Sequence, residues 1–313
     1  MSELSDLISI MKMIAKNEDG AGIKNVLKDI YNMVDSNEDV IKQAYELDRQ
    51  HTGRKENIKI KLILDAIEQT INYEFKEDNI FQDIDSKKVL EVKQNIGVIG
   101  VFYDGDILIT LDLICKALKT NNAIIFNVDI TKNIGTNKII IDAVKQILRN
   151  NNKPDNLVNI NLSDNDNLLL EDIDLAIVVG SKEKIRGFKQ ISNCKILESG
   201  YGYNEIYVED DTNKEFILKI LEKEDIKVTL YIKEGLELGI KGTPVKDVYE
   251  AIEIINKNGA GYATAIFTND ENNAKEYIKK VNCKYAFSNA SSTLARELDI
   301  SIEDLFYKKV CIV

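Results

Sequence analysis

From Ile96 to Ser288 the chain alternates short apolar runs with amphipathic stretches of helix length, and this alternation constrains the fold more than any other feature. The first run, Ile96 to Tyr103, is followed by a helical pattern over Leu108 to Lys119, a turn at Asn121-Asn122 and a second run from Ala123 to Asn127. Runs of this length bounded by turn residues read as strands buried on both faces. Strand-helix-strand units of this kind make parallel sheets with right-handed crossovers that lay helices on the sheet faces. The pattern continues through helix Lys138 to Arg149, strands Leu157 to Ile160 and Leu175 to Val179, helix Lys182 to Gln190 and strand Lys195 to Glu198. After Gly202 come strand Glu205 to Val208, helix Asn213 to Glu224, strand Lys227 to Ile232, helix Lys246 to Asn256, strand Tyr262 to Thr268, helix Glu271 to Lys280 and strand Tyr285 to Ser288. The expected class is α/β, a Rossmann-type parallel sheet domain with a reduced second α/β domain.

Ahead of this series the pattern is helical. Leu4, Leu7, Ile8, Met11 and Ile14 fall at helical spacing, as do Ile60, Ile63, Leu64, Ile67 and Ile71. A charged stretch around Glu224 to Lys227 suggests a boundary, dividing the chain into 1–224 with the helical N-terminus and the first α/β domain, 225–292 as a second, smaller α/β domain, and 293–313 as a closing helix and strand. A formal charge of −11 disfavours nucleic acid and anionic lipid as partners. The acidic start lacks the basic and apolar regions of a signal peptide, and no apolar stretch is long enough to span a bilayer, so a cytoplasmic protein is expected. Cys115, Cys194, Cys283 and Cys311 are widely spaced with no C-x-x-C pair, which argues for free thiols and against a metal site. His51 sits in a polar helical connection and supports no proton relay.

Open parallel sheets bind ligands beyond the carboxyl ends of their strands, and there a resemblance emerges. Asn95-Ile-Gly-Val-Ile-Gly-Val-Phe-Tyr103 and Asp112-Leu-Ile-Cys-Lys-Ala-Leu-Lys-Thr-Asn-Asn-Ala-Ile-Ile125 resemble a stretch of the gamma-glutamyl phosphate reductases (glutamate-5-semialdehyde dehydrogenases), within the aldehyde dehydrogenase superfamily. Ile173 to Ser181, Ile196 to Val208, Gly242-Thr243 with Ala251-Ile252, and Tyr262 to Ala290 resemble successive blocks of that family in the same order. The resemblance covers roughly residues 90 to 292 and implies an aldehyde dehydrogenase-like fold, reduction of an acyl phosphate by NADPH through a cysteine thioester, and a hairpin used in oligomerisation.

Set against that family, the chain is degenerate and shortened. The helix Asn213 to Glu224 runs directly into Asp225-Ile-Lys-Val, where the family carries its cysteine nucleophile, and no cysteine lies between Cys194 and Cys283. Asp104-Gly-Asp-Ile107 stands where the family has an arginine and an amide, which reverses the charge expected to face an acyl phosphate. For a cofactor, the resemblance points to Gly180, Ser181, Asn127, Asp129, Glu198 and Gly200. The Gly180-Ser181 turn is either a phosphate cradle at a helix start or a serine N-cap. Asp129 would repel a 2′-phosphate, so NADH is expected over NADPH if either binds. Glu198 matches a family glutamate and is either a vestigial general base or part of a retained turn beside Gly200 and Gly202.

Two functions remain open. One is a non-catalytic relative with a nucleotide-binding or subunit-interaction role, a homo- or hetero-oligomer. The other is an NAD(P)-dependent oxidoreductase acting on an aldehyde or acyl phosphate such as glutamate-5-semialdehyde or gamma-glutamyl phosphate, with its chemistry supplied elsewhere. The apolar tail Lys308 to Val313 is either an edge for another subunit or a strand paired within its own sheet.

Overall fold

In a computed structural model the protein is described over residues 3–52, 58–75, 80–84, 87–128, 134–162, 166–211, 214–222, 227–295, 298 and 300–312. Four helices come first: α1 (Glu3–Asn17), α2 (Ile23–Ser36), α3 (Glu38–Thr52) and α4 (Ile60–Asn72). Their apolar stripes, among them Ile8, Met11, Val26, Ile30, Ile63 and Ile67, are buried in one core with the first sheet. An antiparallel pair, β1 (Ile80–Ile84) and β2 (Lys87–Asn95), then leads into the alternating series.

That series starts with β3 (Val98–Tyr103), α5 (Ile107–Lys119), β4 (Ala123–Val128), α6 (Ile134–Asn150) and β5 (Val158–Asn161). It continues with α7 (Asp166–Asp172), β6 (Leu175–Val179), α8 (Lys182–Ile191) and β7 (Lys195–Ser199). The strands pair in parallel in the order β5-β4-β3-β6-β7, so the winding reverses between β3 and β6. All six residues of β3 are buried, as a strand covered by helices on both faces requires.

A second five-stranded parallel sheet follows, built from β8 (Tyr203–Val208), α9 (Lys214–Glu222), β9 (Lys227–Lys233), β10 (Thr243–Val245), α10 (Val248–Asn258), β11 (Ala263–Phe267), α11 (Glu271–Lys280) and β12 (Tyr285–Ser288). Its order is β10-β9-β8-β11-β12. One face packs on α10 and α11 through Val248, Ile252, Ile255 and Tyr277, and the other on α9 through Ile217 and Ile220. The chain changes sheet across the turn Gly200-Tyr201-Gly202, ahead of the charged stretch at Glu224 to Lys227 on which the sequence suggested a boundary. Residues 223–226 lie outside the described ones. At this turn the two units touch closely, since a Cβ on Gly200 would sit 2.5 Å from the Ala260 carbonyl oxygen. Tyr201, Tyr262 and Tyr285 continue the contact as successive edge-to-face ring pairs.

The closing strand, β13 (Phe306–Ile312), follows a 3₁₀ turn rather than the expected helix and pairs antiparallel with β2, giving a three-stranded sheet β1-β2-β13. Of the two readings of the tail, pairing within its own sheet is the one observed.

Candidate functional site

The carboxyl ends of β3 and β6 meet where the first sheet reverses, the place an open α/β sheet offers to a ligand. In this chain it is occupied by the protein's own side chains. Asp106 caps α5, accepting from the Leu108 N–H at 2.8 Å and the Ile109 N–H at 3.4 Å. Asp104 faces Lys184 on α8 at 3.6 Å. Ser181 caps α8 by accepting from the Lys184 N–H at 3.3 Å, and the Gly180 N–H donates to the Ser199 carbonyl at 3.0 Å. The serine-cap reading of Gly180-Ser181 is therefore the geometry present, and the two acidic residues of the Asp104-Gly-Asp segment have structural partners.

The other described cofactor candidates each have a contact within the fold. The side-chain carbonyl of Asn127 accepts from the Asn161 amide at 2.7 Å. Glu198, its side chain 54% exposed, pairs with Lys189 at 2.6 Å on the outside of the sheet. Gly200 packs against Ala260, and Asp129 lies outside the described residues. The N-termini of α5 and α8 are both capped by side chains, and phosphates would meet the carboxylates of Asp104 and Asp106.

A cavity of about 410 Å³ opens instead between α4, α5 and the residues Leu294, Ala295 and Leu298. Leu62, Ala66, Leu108, Leu294 and Leu298 supply apolar wall, and Asp65, Gln69, Asp112, Lys116 and Tyr285 supply polar groups. The volume and the mixture of apolar wall with a few polar groups are those of a small-molecule site. Helical spacing places these groups: Asp65 and Gln69 lie one turn apart on α4, and Asp112 and Lys116 one turn apart on α5. The Lys116 ammonium donates to Asp112 at 2.7 Å and to the Ile300 carbonyl at 2.8 Å, with side chains only 14% and 5% exposed. Nothing in the sequence reading selected these residues. The available signal was Asp112, a carboxylate among the apolar residues Leu111, Leu113, Ile114 and Cys115 of the helix Ile107–Lys119, where an unpaired charge would be costly.

None of the four thiols lines this cavity. Cys115 is sealed in the core on α5, and burial pushes its thiol far above the ordinary range. Cys194 contacts the Ser192 hydroxyl at 3.3 Å at the start of β7. Cys283 bonds the Tyr285 carbonyl, and burial, helped by the charge of Glu205, pushes it up to about 11. Cys311 lies in β13. Glu205 itself is a buried carboxylate of β8 at the junction of the sheets. It accepts from the Ala260 N–H at 2.9 Å, and burial raises it to about 7. Among the described residues no group of histidine, cysteine and carboxylate side chains could hold a metal ion, and no helix is long and apolar enough to cross a membrane.

No family model matches the chain. Among curated proteins, the gamma-glutamyl phosphate reductase of Dictyoglomus thermophilum is 26% identical over 385 positions, covering 97% of this chain and 91% of the relative. That of Alkaliphilus metalliredigens is 23% identical, covering 93% and 86%. Among solved structures, gamma-glutamyl phosphate reductase from Thermotoga maritima matches with a TM-score of 0.67 at 19% identity, over 99% of this chain and 97% of the other. By sequence the homologues of this chain are gamma-glutamyl phosphate reductases; by fold it is aldehyde dehydrogenase-like. A glyceraldehyde-3-phosphate dehydrogenase from Methanocaldococcus jannaschii, solved in complex with NADP, shares this aldehyde dehydrogenase-like fold with a TM-score of 0.72 at 14% identity, over 99% and 93%. Against that Dictyoglomus relative this chain is shortened internally. An alignment of 385 positions against 313 residues leaves at least 72 positions of the Dictyoglomus relative facing no residue of this chain, although both chains are covered almost from end to end.

Proposed function

We propose that this chain is a non-catalytic member of the aldehyde dehydrogenase-like fold, retaining a small-molecule cavity and a subunit-contact surface. The observation that carries this reading is the placement of the thiols. Thioester chemistry needs an accessible thiolate beside the substrate, with donors for the oxyanion. Here Cys115 is sealed in the core, Cys194, Cys283 and Cys311 sit at or within strands outside the cavity, and Leu108, an alkyl group, opens the cavity-facing side of α5.

A subunit-contact role is supported by β13. It is one of the two outer strands of its sheet, and Val310 and Ile312 are each 64% exposed, an apolar edge suited to a second copy of the chain. The deciding experiment incubates the full chain with glutamate-5-semialdehyde and phosphate plus NAD or NADP, and monitors nicotinamide absorbance. The expected result is no turnover above the protein-free control. Turnover that disappears in a single Cys→Ala variant would establish the oxidoreductase alternative.

A further inference from the structure

From Asn204 onward every residue of β8 is buried, and Glu205 among them carries a carboxyl group. It lies against the carboxyl end of α10, where the chain leaves the helix through Gly259, Ala260 and Gly261. One of its oxygens accepts from the Ala260 N–H at 2.9 Å, and a Cβ on Gly259 would come within 2.9 Å of the same oxygen, so this turn is the lid over the carboxyl group. The turn also faces the first unit. Ala260 packs on Gly200, and from α8 the Lys182 ammonium donates to the Asn256 carbonyl at 2.8 Å and the Arg186 guanidinium to the Lys257 carbonyl at 3.1 Å. Both carbonyls belong to the last turn of α10, whose partial negative charge suits these cations. One short stretch, 256–260, therefore covers the acid and holds the first unit.

We propose that the seam between the two units is a proton-operated latch: Glu205 in its acid form keeps the 259–261 turn closed, and its ionisation lifts the turn and loosens the hold of α10 on α8. The latch is independent of whether the chain catalyses a reaction. Burial sets its direction, raising the Glu205 carboxyl to about 7 against the opposing pull of the Ala260 N–H and the charge of Lys182 on α8. The other titratable groups facing Glu205 are Tyr231 of β9, Tyr277 of α11 and Cys283 ahead of β12. Burial raises all three, Cys283 to about 11, so they stay neutral while Glu205 titrates. Glu183 on α8 bears on Tyr231, and β11 presents Thr264, whose hydroxyl is bonded to Tyr277. The ionised carboxyl regains water most directly when its lid moves, and the lid has a glycine on either side of Ala260, with Gly261 at φ +75°. Once the turn is open, Glu205 returns to its ordinary value near 4.5, so opening releases a proton. The opening equilibrium then rises about tenfold per pH unit from about 4.5 to about 7 and is level on either side.

The test is hydrogen exchange of the full chain, followed by mass spectrometry from about pH 5 to about pH 8, with each rate divided by that of an unstructured chain at the same pH. We expect the amides of 256–262 to lose protection roughly fiftyfold across that range, and to stay less protected at every pH than those of β3, which exchange only on global unfolding. Glu205→Gln should abolish the pH dependence. Lys182→Met, which removes the opposing charge, should carry the loss of protection to higher pH. Arg186→Met, at an exposed position, should lower the protection of 256–262 about threefold at every pH with the slope unchanged, because lid and seam open together. Protection of 256–262 that is independent of pH, equal to that of β3, or as steep in Glu205→Gln as in the native chain would overturn the latch. Indifference of these amides to Arg186→Met would separate the lid from the seam and overturn it equally. Nicotinamide turnover, by contrast, would bear on the non-catalytic reading alone.

Discussion

Glu205 is the residue whose surroundings most change its ordinary chemistry. It is 5% exposed, and burial raises its carboxyl to about 7, against the opposing pull of the Ala260 N–H and the charge of Lys182. Because the folded value lies above the unfolded one, the folded state binds the extra proton between the two. Stability then falls as pH rises from about 4.5 to about 7 and is level above that. The size of the effect is about 3 kcal/mol, at roughly 1.4 kcal/mol for each tenfold change in proton affinity. Glu205→Gln keeps an acceptor for Ala260 and removes the titration, so it should match the native chain in denaturant midpoint at about pH 5 and exceed it at about pH 8. Equal midpoints at both values would remove Glu205 from the account. A second residue-scale outcome concerns Gly200, where a methyl group would lie 2.5 Å from the Ala260 carbonyl oxygen and 2.8 Å from its Cβ. Both contacts belong to another segment's backbone or to a side chain with no freedom to turn away. Gly200→Ala is expected to cost about 1–3 kcal/mol, read as a lowered melting temperature.

At the scale of elements, Asn122 shows how a turn legible in the sequence can hide the reason for its residue. Asn121-Asn122 is recognisable as a turn between a helix and a strand, yet the side chain of Asn122 does far more than turn the chain. Fully buried, it accepts from the Ile96 and Gly97 N–H groups at 2.7 and 2.9 Å and donates to the Thr120 hydroxyl and the Leu305 carbonyl at 2.8 and 2.9 Å. It thereby ties the start of β3, the end of α5 and the segment before β13. Asn122→Ala would leave a buried and a partly buried N–H and a carbonyl unsatisfied and should cost about 3 kcal/mol or more, measured by chemical denaturation. The central strands were legible because burial on both faces forces unbroken apolar runs, as in Val98–Tyr103 and Leu175–Val179. The β1–β2 pair was not, because Lys87, Lys88, Glu91 and Lys93 interrupt any apolar pattern there. Nor was β10, three residues with a proline at the sheet edge, where a missing N–H is tolerated. The cavity was least legible of all, since it is made by α4 and α5 facing each other and by a segment far along the chain from both.

For the molecule as a whole, the sequence suggests a division at the charged stretch Glu224 to Lys227, and the strands change sheet between β7 and β8. A charged stretch looks like a linker, whereas the passage runs through Gly200-Tyr201-Gly202, a tight turn whose Gly200 serves close packing and whose Tyr201 ring meets the second unit edge-on. The subunit-contact reading belongs at this scale. The double variant Val310→Lys, Ile312→Lys places two charges on the apolar edge of β13 and should shift the mass measured by light scattering from dimer to monomer. A native chain that is already monomeric at micromolar concentration would refute that reading.

The pairing of β13 with β2 also sets an order on synthesis. Residues 89–95 find their partners at 306–312, more than two hundred residues later, so one side of β2 has no native partner until nearly all of these 313 residues have left the ribosome. Asn122 waits for Leu305 over much the same interval. Both five-stranded sheets can be complete by then, which makes the three-stranded sheet the last part of the nascent chain to close and the part most in need of shielding while it waits.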